Sequence, residues 1–119
     1  MKKIIYAAGK RGGKSNWLIE NMEKEYAAGK ECFYMGGRKA YEDTLVKLTA
    51  NNSLVELTLV DKEHPPLANS AVFTDDLLWE TSSIFPFTVR NMRNIDCVWY
   101  VTLNTEGAVN LKKDPTTEN

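Results

Sequence analysis

Apolar and polar positions along this chain fall into short continuous runs separated by helical periodicities. Lys3 to Ala8 is a nearly unbroken apolar run, as expected for an interior parallel strand. From Lys14 the spacing turns helical. Leu18, Met22 and Tyr26 recur every fourth residue with Ile19 beside them, and Glu20, Glu23, Lys24 and Glu25 occupy the wetter side. Gly29 supplies a C-terminal stop. Glu31 to Met35 predicts a second strand, rich in aromatics, broken by Gly36-Gly37. A second helix is expected from Lys39 to Ala50, with Tyr41, Leu45 and Leu48 on one face and Asn51-Asn52-Ser53 ending it. Leu54 to Val60 alternates, which predicts a strand with one wet face near a sheet edge. Asp61 to Ser70, with Pro65-Pro66, reads as loop, and His64 within it as solvent-exposed and inert. Ala71 to Thr74 and Cys97 to Leu103 are two further buried strands. Between them Leu77 to Trp79 read as a helical or irregular segment leading to Pro86, and Pro86 to Met92 as a further short helix.

Strands alternating with helices imply an α/β domain with a mostly parallel sheet and helices on its faces. Ligands of such sheets bind beyond the carboxyl ends of the strands. Three polar segments fall at such ends: Ala8 to Ser15, Asp75-Asp76 and Thr102 to Asn104.

The first is the most specific. Ala8-x4-Gly13-Lys14-Ser15 fits the phosphate-binding P-loop pattern, with alanine where glycine is commoner. Gly9, Gly12 and Gly13 permit positive φ and let backbone N–H groups approach phosphate oxygens. Those groups form an anion nest, and the following helix turns its positive end toward it. Lys14 would reach the β- and γ-phosphates, Ser15 Oγ would ligate Mg2+, and Asn16 would offer a backbone N–H. Lys10 and Arg11 at the loop tip add positive field, or face solvent. Asp75, at the end of an apolar strand, is the candidate metal carboxylate beside Ser15. Asp76 is the candidate for orienting the attacking water. Helix capping by Asp75 and Asp76 is the alternative reading. Thr102 and Asn104 are candidates for sensing the γ-phosphate, with turn chemistry as the alternative. Arg93 is a candidate arginine finger toward a neighbouring subunit, or a solvated side chain.

Composition narrows the classes. The chain has 119 residues and a net charge of −1, so one domain is expected and no basic footprint announces nucleic acid. Residues 1–50 hold ten Lys/Arg against six Asp/Glu, and residues 51–119 hold five against ten. Cys32 and Cys97 lie in apolar runs without metal-type spacing, so buried free thiols in a reducing compartment are expected. The single histidine leaves little for a His-based metal site or a Ser-His-Asp triad. No run reaches the ~18 apolar residues of a membrane helix, and a cytoplasmic location follows (the host cytoplasm for a viral protein). The nucleotide domain is expected over residues 1–108 and a polar tail over 109–119.

The order of P-loop, apolar strand with Asp75-Asp76, Arg90-Asn91-Met92-Arg93-Asn94-Ile95-Asp96, and apolar strand ending Thr102-Leu103-Asn104 resembles a known family. It is similar to the additional-strand class of P-loop ATPases. Within that class it looks most like the FtsK–HerA type, which includes viral genome-packaging ATPases and zonular-occludens-toxin-like assembly ATPases of filamentous phages. The resemblance implies a three-layer P-loop NTPase fold with a minimal or truncated core. It also implies ATP and Mg2+ as ligands, ATP hydrolysis, a possible homo-oligomer, and DNA or a phage assembly protein as partner. Asn104 stands where glutamine is usual, and Asp76 where glutamate is. Two other functions stay open from the residues. One is a thymidine-kinase-like nucleoside or nucleotide kinase, for which no cysteine cluster or Arg-rich lid is found. The other is a nucleotide-binding regulator that does not hydrolyse. The absence of an Asn-Lys-x-Asp guanine motif points to ATP.

Overall fold

In the computed structural model, residues 1–9, 13–75 and 90–104 are described. Five strands, β1 (Lys2–Ala8), β2 (Cys32–Tyr34), β3 (Leu57–Leu59), β4 (Ala71–Thr74) and β5 (Val98–Asn104), form one sheet in the order β1-β5-β4-β2-β3. All four pairings are parallel. The fold is therefore α/β with a parallel sheet, as the alternation of runs predicts. The longest ladder joins the two longest strands, β1 and β5, from Lys2 opposite Val98 to Ala8 opposite Asn104. The alternating strand β3 lies at the edge, where one wet face is tolerated.

Side-chain parity divides the core in two. Cys32, Tyr34, Ala71, Phe73, Val98 and Tyr100 face one way and pack with Leu18, Ile19 and Met22 of α1 (Lys14–Ala27) and Leu48 of α2 (Arg38–Ala50). Phe33, Val72, Trp99 and Val101 face the other way and meet Met92 and Cys97, with Ile95 packed alongside. A helical turn at residues 90–92 carries Met92 to that face. Cross-strand neighbours Phe73 and Tyr100 stack with centroids 5.2 Å apart and planes 9° apart, a pairing that contributes about 0.5–1.5 kcal/mol beyond burial. Trp99 Nε1 donates to Thr74 Oγ1 at 2.8 Å, and Thr74 Oγ1 donates to Met35 O at 2.7 Å. These bonds satisfy polar groups buried on that face.

α1 and α2 stop for identifiable reasons. After α1, Gly29 takes φ +86°; its N–H bonds Tyr26 O, and Lys30 N–H bonds Glu25 O. After α2, Asn52 takes φ +53°; its N–H bonds Thr49 O, and Ser53 N–H bonds Leu48 O. Each is a Schellman closure, with Gly or Asn at the left-handed position.

One polar position departs from the helical reading. Glu25 belongs to the wetter side by spacing but is 7% exposed. Tyr100 Oη donates to its Oε2 at 2.9 Å, and Lys30 Nζ lies 3.7 Å from Oε1. A carboxylate with a donor on one oxygen and an ammonium near the other can be buried at acceptable cost. The two cysteines are free and buried, as their apolar settings predict. His64 is exposed, with Nδ1 3.0 Å from Asp61 Oδ1.

Candidate functional site

The carboxyl ends of three adjacent strands meet at one rim of the sheet. β1 leads through Ala8 and Gly9 toward the glycine-rich loop, β5 ends in Thr102 to Asn104, and β4 delivers Asp75 one residue past Thr74. In the parallel register Tyr6 lies opposite Thr102 and Thr74 opposite Val101, so Asp75 emerges level with Thr102.

Gly13 is the N-cap of α1, at φ 76° and ψ 18°, with no side-chain cap and no acidic residue in the first helical turn. Left-handed backbone favours glycine, and the uncapped first turn leaves donor groups and positive dipole directed outward. Lys14 Nζ donates to Gly9 O at 3.0 Å, folding the lysine back across the loop. Ser15 Oγ donates to Asp75 Oδ2 at 3.2 Å across sixty residues of sequence. Thr102 Oγ1 makes a short bond to the other carboxylate oxygen, Asp75 Oδ1. Lys47 of α2 completes the cluster: its Nζ donates to Ser15 Oγ at 3.1 Å.

The residues expected from sequence are thus distributed as follows. Gly9, Gly13, Lys14, Ser15 and Asp75 come together at this rim. Asn16 is exposed in the first turn of α1, and Asn104 pairs in register with Ala8 at the root of the loop. Arg93 does not join them. It sits in the turn preceding β5, at the amino end of the strand whose carboxyl end carries the site. Lys10, Arg11, Gly12 and Asp76 lie outside the described residues, as does the expected tail 109–119.

Two contacts exceed what the residues foretold. Thr102 was a candidate together with Asn104, and it is Thr102 that holds Asp75. Strand parity carries the signal, because Thr102 shares its face with Tyr100 and Val98, the face on which α1 packs. Lys47 has no sequence signal: it is one of several lysines on polar helix positions.

Chemically, the cluster offers hard oxygen ligands beside cationic groups. A hydroxyl and a carboxylate oxygen 3.2 Å apart are a donor set that fits Mg2+, which takes one or two protein oxygens and completes its shell with phosphate and water. Among the described residues no three His, Cys, Asp or Glu side chains form a metal-holding group. Nor is any described helix long and apolar enough to cross a membrane. No family model, curated protein or solved structure matches the chain.

Proposed function

We propose that this chain binds a nucleoside triphosphate, ATP, together with Mg2+ at the rim formed by β1, β5 and β4, and hydrolyses it as a P-loop domain of the additional-strand class. The observation that carries the reading is the bond from Ser15 to Asp75. The loop serine and the strand-end carboxylate belong to separate stretches of sequence, and they meet directly. The strand order adds support: β5 is interposed between the loop strand β1 and the acidic strand β4, an insertion of the kind from which the class takes its name.

On this reading the chain's own groups divide the work. Lys14 exchanges the Gly9 carbonyl for phosphate oxygens, so its ammonium meets an ionised acceptor in place of a neutral one and the bond strengthens. The first-turn amides of α1 receive the same anion. Ser15 and Asp75 hold Mg2+, which when bound neutralises charge on the phosphates. Thr102 fixes the carboxylate's orientation by holding its other oxygen. The family resemblance extends the reading to work on DNA or a phage assembly partner.

The test is a nucleotide panel with Mg2+, read by thermal unfolding of wild type and Lys14→Ala. ATP at 100 times its Kd stabilises the wild type by about 2.7 kcal/mol, and Lys14→Ala loses this shift. Equal shifts in both proteins, or none in the wild type, would overturn the reading. Phosphate release with and without DNA then separates a hydrolase from a binding-only protein. Transfer of phosphate to a deoxynucleoside would instead favour a kinase.

A further inference from the structure

Lys47 makes a contact that the P-loop reading does not require. Asp43 stands four residues before it on α2, the spacing and order that favour an exposed pair. Yet the Asp43 carboxylate lies 4.0 Å from Lys39 Nζ, and Lys47 reaches to Ser15 Oγ at 3.1 Å, in a segment thirty-two residues away. The bond has a chemical consequence. A serine hydroxyl has one hydrogen and two lone pairs. The hydrogen is committed to Asp75 Oδ2. An ammonium has only donors, so Lys47 uses a lone pair of the oxygen through which Ser15 would bind a metal.

We infer that Lys47 is a tethered counter-cation of the triphosphate site, holding Ser15 Oγ until Mg2+ displaces it, and so sets the Mg2+ concentration at which nucleotide is bound. This rests on the nucleotide reading above. Lys47 is exposed and on a flexible stem, so its departure leaves the core intact. Its ammonium and the divalent ion also repel, since both approach one oxygen. Lys47 is a positioning residue: it acts on the metal through Ser15.

The experiment is a Mg2+ titration of fluorescent ATP-analogue binding to wild type, Lys47→Met and Lys47→Arg, with circular dichroism to verify folding. Lys47→Met removes the competitor and lowers the half-saturating Mg2+ concentration by on the order of fivefold, the scale of one screened surface charge acting on a divalent ion. Lys47→Arg keeps the cation and retains the wild-type requirement, which a merely structural role for Lys47 would not produce. An unchanged or raised Mg2+ requirement in Lys47→Met overturns the inference and leaves the nucleotide reading standing. Failure of the wild type to bind the analogue at any Mg2+ concentration overturns both.

Discussion

Thr102 offers a measurable test of how the site is held together. Its side chain is 0% exposed and donates to Asp75 Oδ1, while Ser15 serves the other oxygen. Thr102→Val keeps the shape and the β-branch but deletes the donor. A hydrogen bond to an ionised group contributes about 1.5–3 kcal/mol. The new methyl, buried where the hydroxyl was, returns about 0.8 kcal/mol. The net expectation is a loss of about 1–2 kcal/mol. For a domain of roughly this size, that lowers Tm by about 5–10 °C. Urea unfolding at pH 7 measures it as a shift in midpoint at constant slope. On the proposed nucleotide reading, a second arm measures the stability added by ATP and Mg2+, which is expected to fall in Thr102→Val because the carboxylate loses one of its two anchors. Thr102→Ser separates the causes. It gives up a methyl and keeps the donor, so it loses stability through packing while retaining the Mg2+-dependent shift. A Thr102→Val protein with the wild-type urea midpoint and the wild-type shift would refute the role assigned to this bond.

Two further outcomes follow from geometry described above. Gly13→Ala places a Cβ where nothing lies within 4 Å, but at φ +76°, so its cost is backbone strain alone; a loss of about 1–2 kcal/mol in urea unfolding is expected, and unchanged stability would contradict the left-handed cap. Alkali destabilises the fold: burial, then the charge of Glu25, raises the Cys32 thiol to about 11, and burial, then the hydrogen bond to Glu25, raises the Tyr100 hydroxyl to about 12. In the unfolded chain these groups ionise near their ordinary values of about 8.5 and about 10, so the unfolded state loses protons first and stability falls with rising pH between about 9 and 12. Urea midpoints at pH 8, 10 and 11 check this, and a flat profile would contradict it.

The parallel α/β architecture was legible because buried parallel strands and half-buried helices leave different periods in the chain. The runs at Lys3 to Ala8, Ala71 to Thr74 and Cys97 to Leu103 match β1, β4 and β5 to within a residue at either end. The alternating run from Leu54 shrank to Leu57–Leu59, and Leu54 itself is 85% exposed. Alternation marks where a side chain can point, not how far an edge strand finds hydrogen-bond partners. The glycine turn that opens α1 at Gly13 and the place of Asp75 at a strand end were legible because such signals are local: a glycine before a helix and a carboxylate after an apolar run. Glu25 was misread because a helix period treats every carboxylate as wet. Its burial depends on Tyr100 and Lys30, whose proximity only the folded chain creates. Lys47 was invisible for the same reason. Its partner is chosen by how α2 lies on the sheet, which no spacing within α2 encodes.

The ladder between β1 and β5 has a consequence for how the protein is made. Among the described residues, β1 pairs with β5 alone, and Ala8 at the base of the loop is bonded in register to Asn104. During synthesis β1 leaves the ribosome long before the strand it pairs with, because β2, β3 and β4 all come between them in the chain. The segments 14–75 can begin to pair among themselves, whereas β1 finds its place only after residues 98–104 have been made. A contact so distant in sequence is slow to close. β1, which leads into the most recognisable stretch of the sequence, is thus among the last parts of the described fold to be seated.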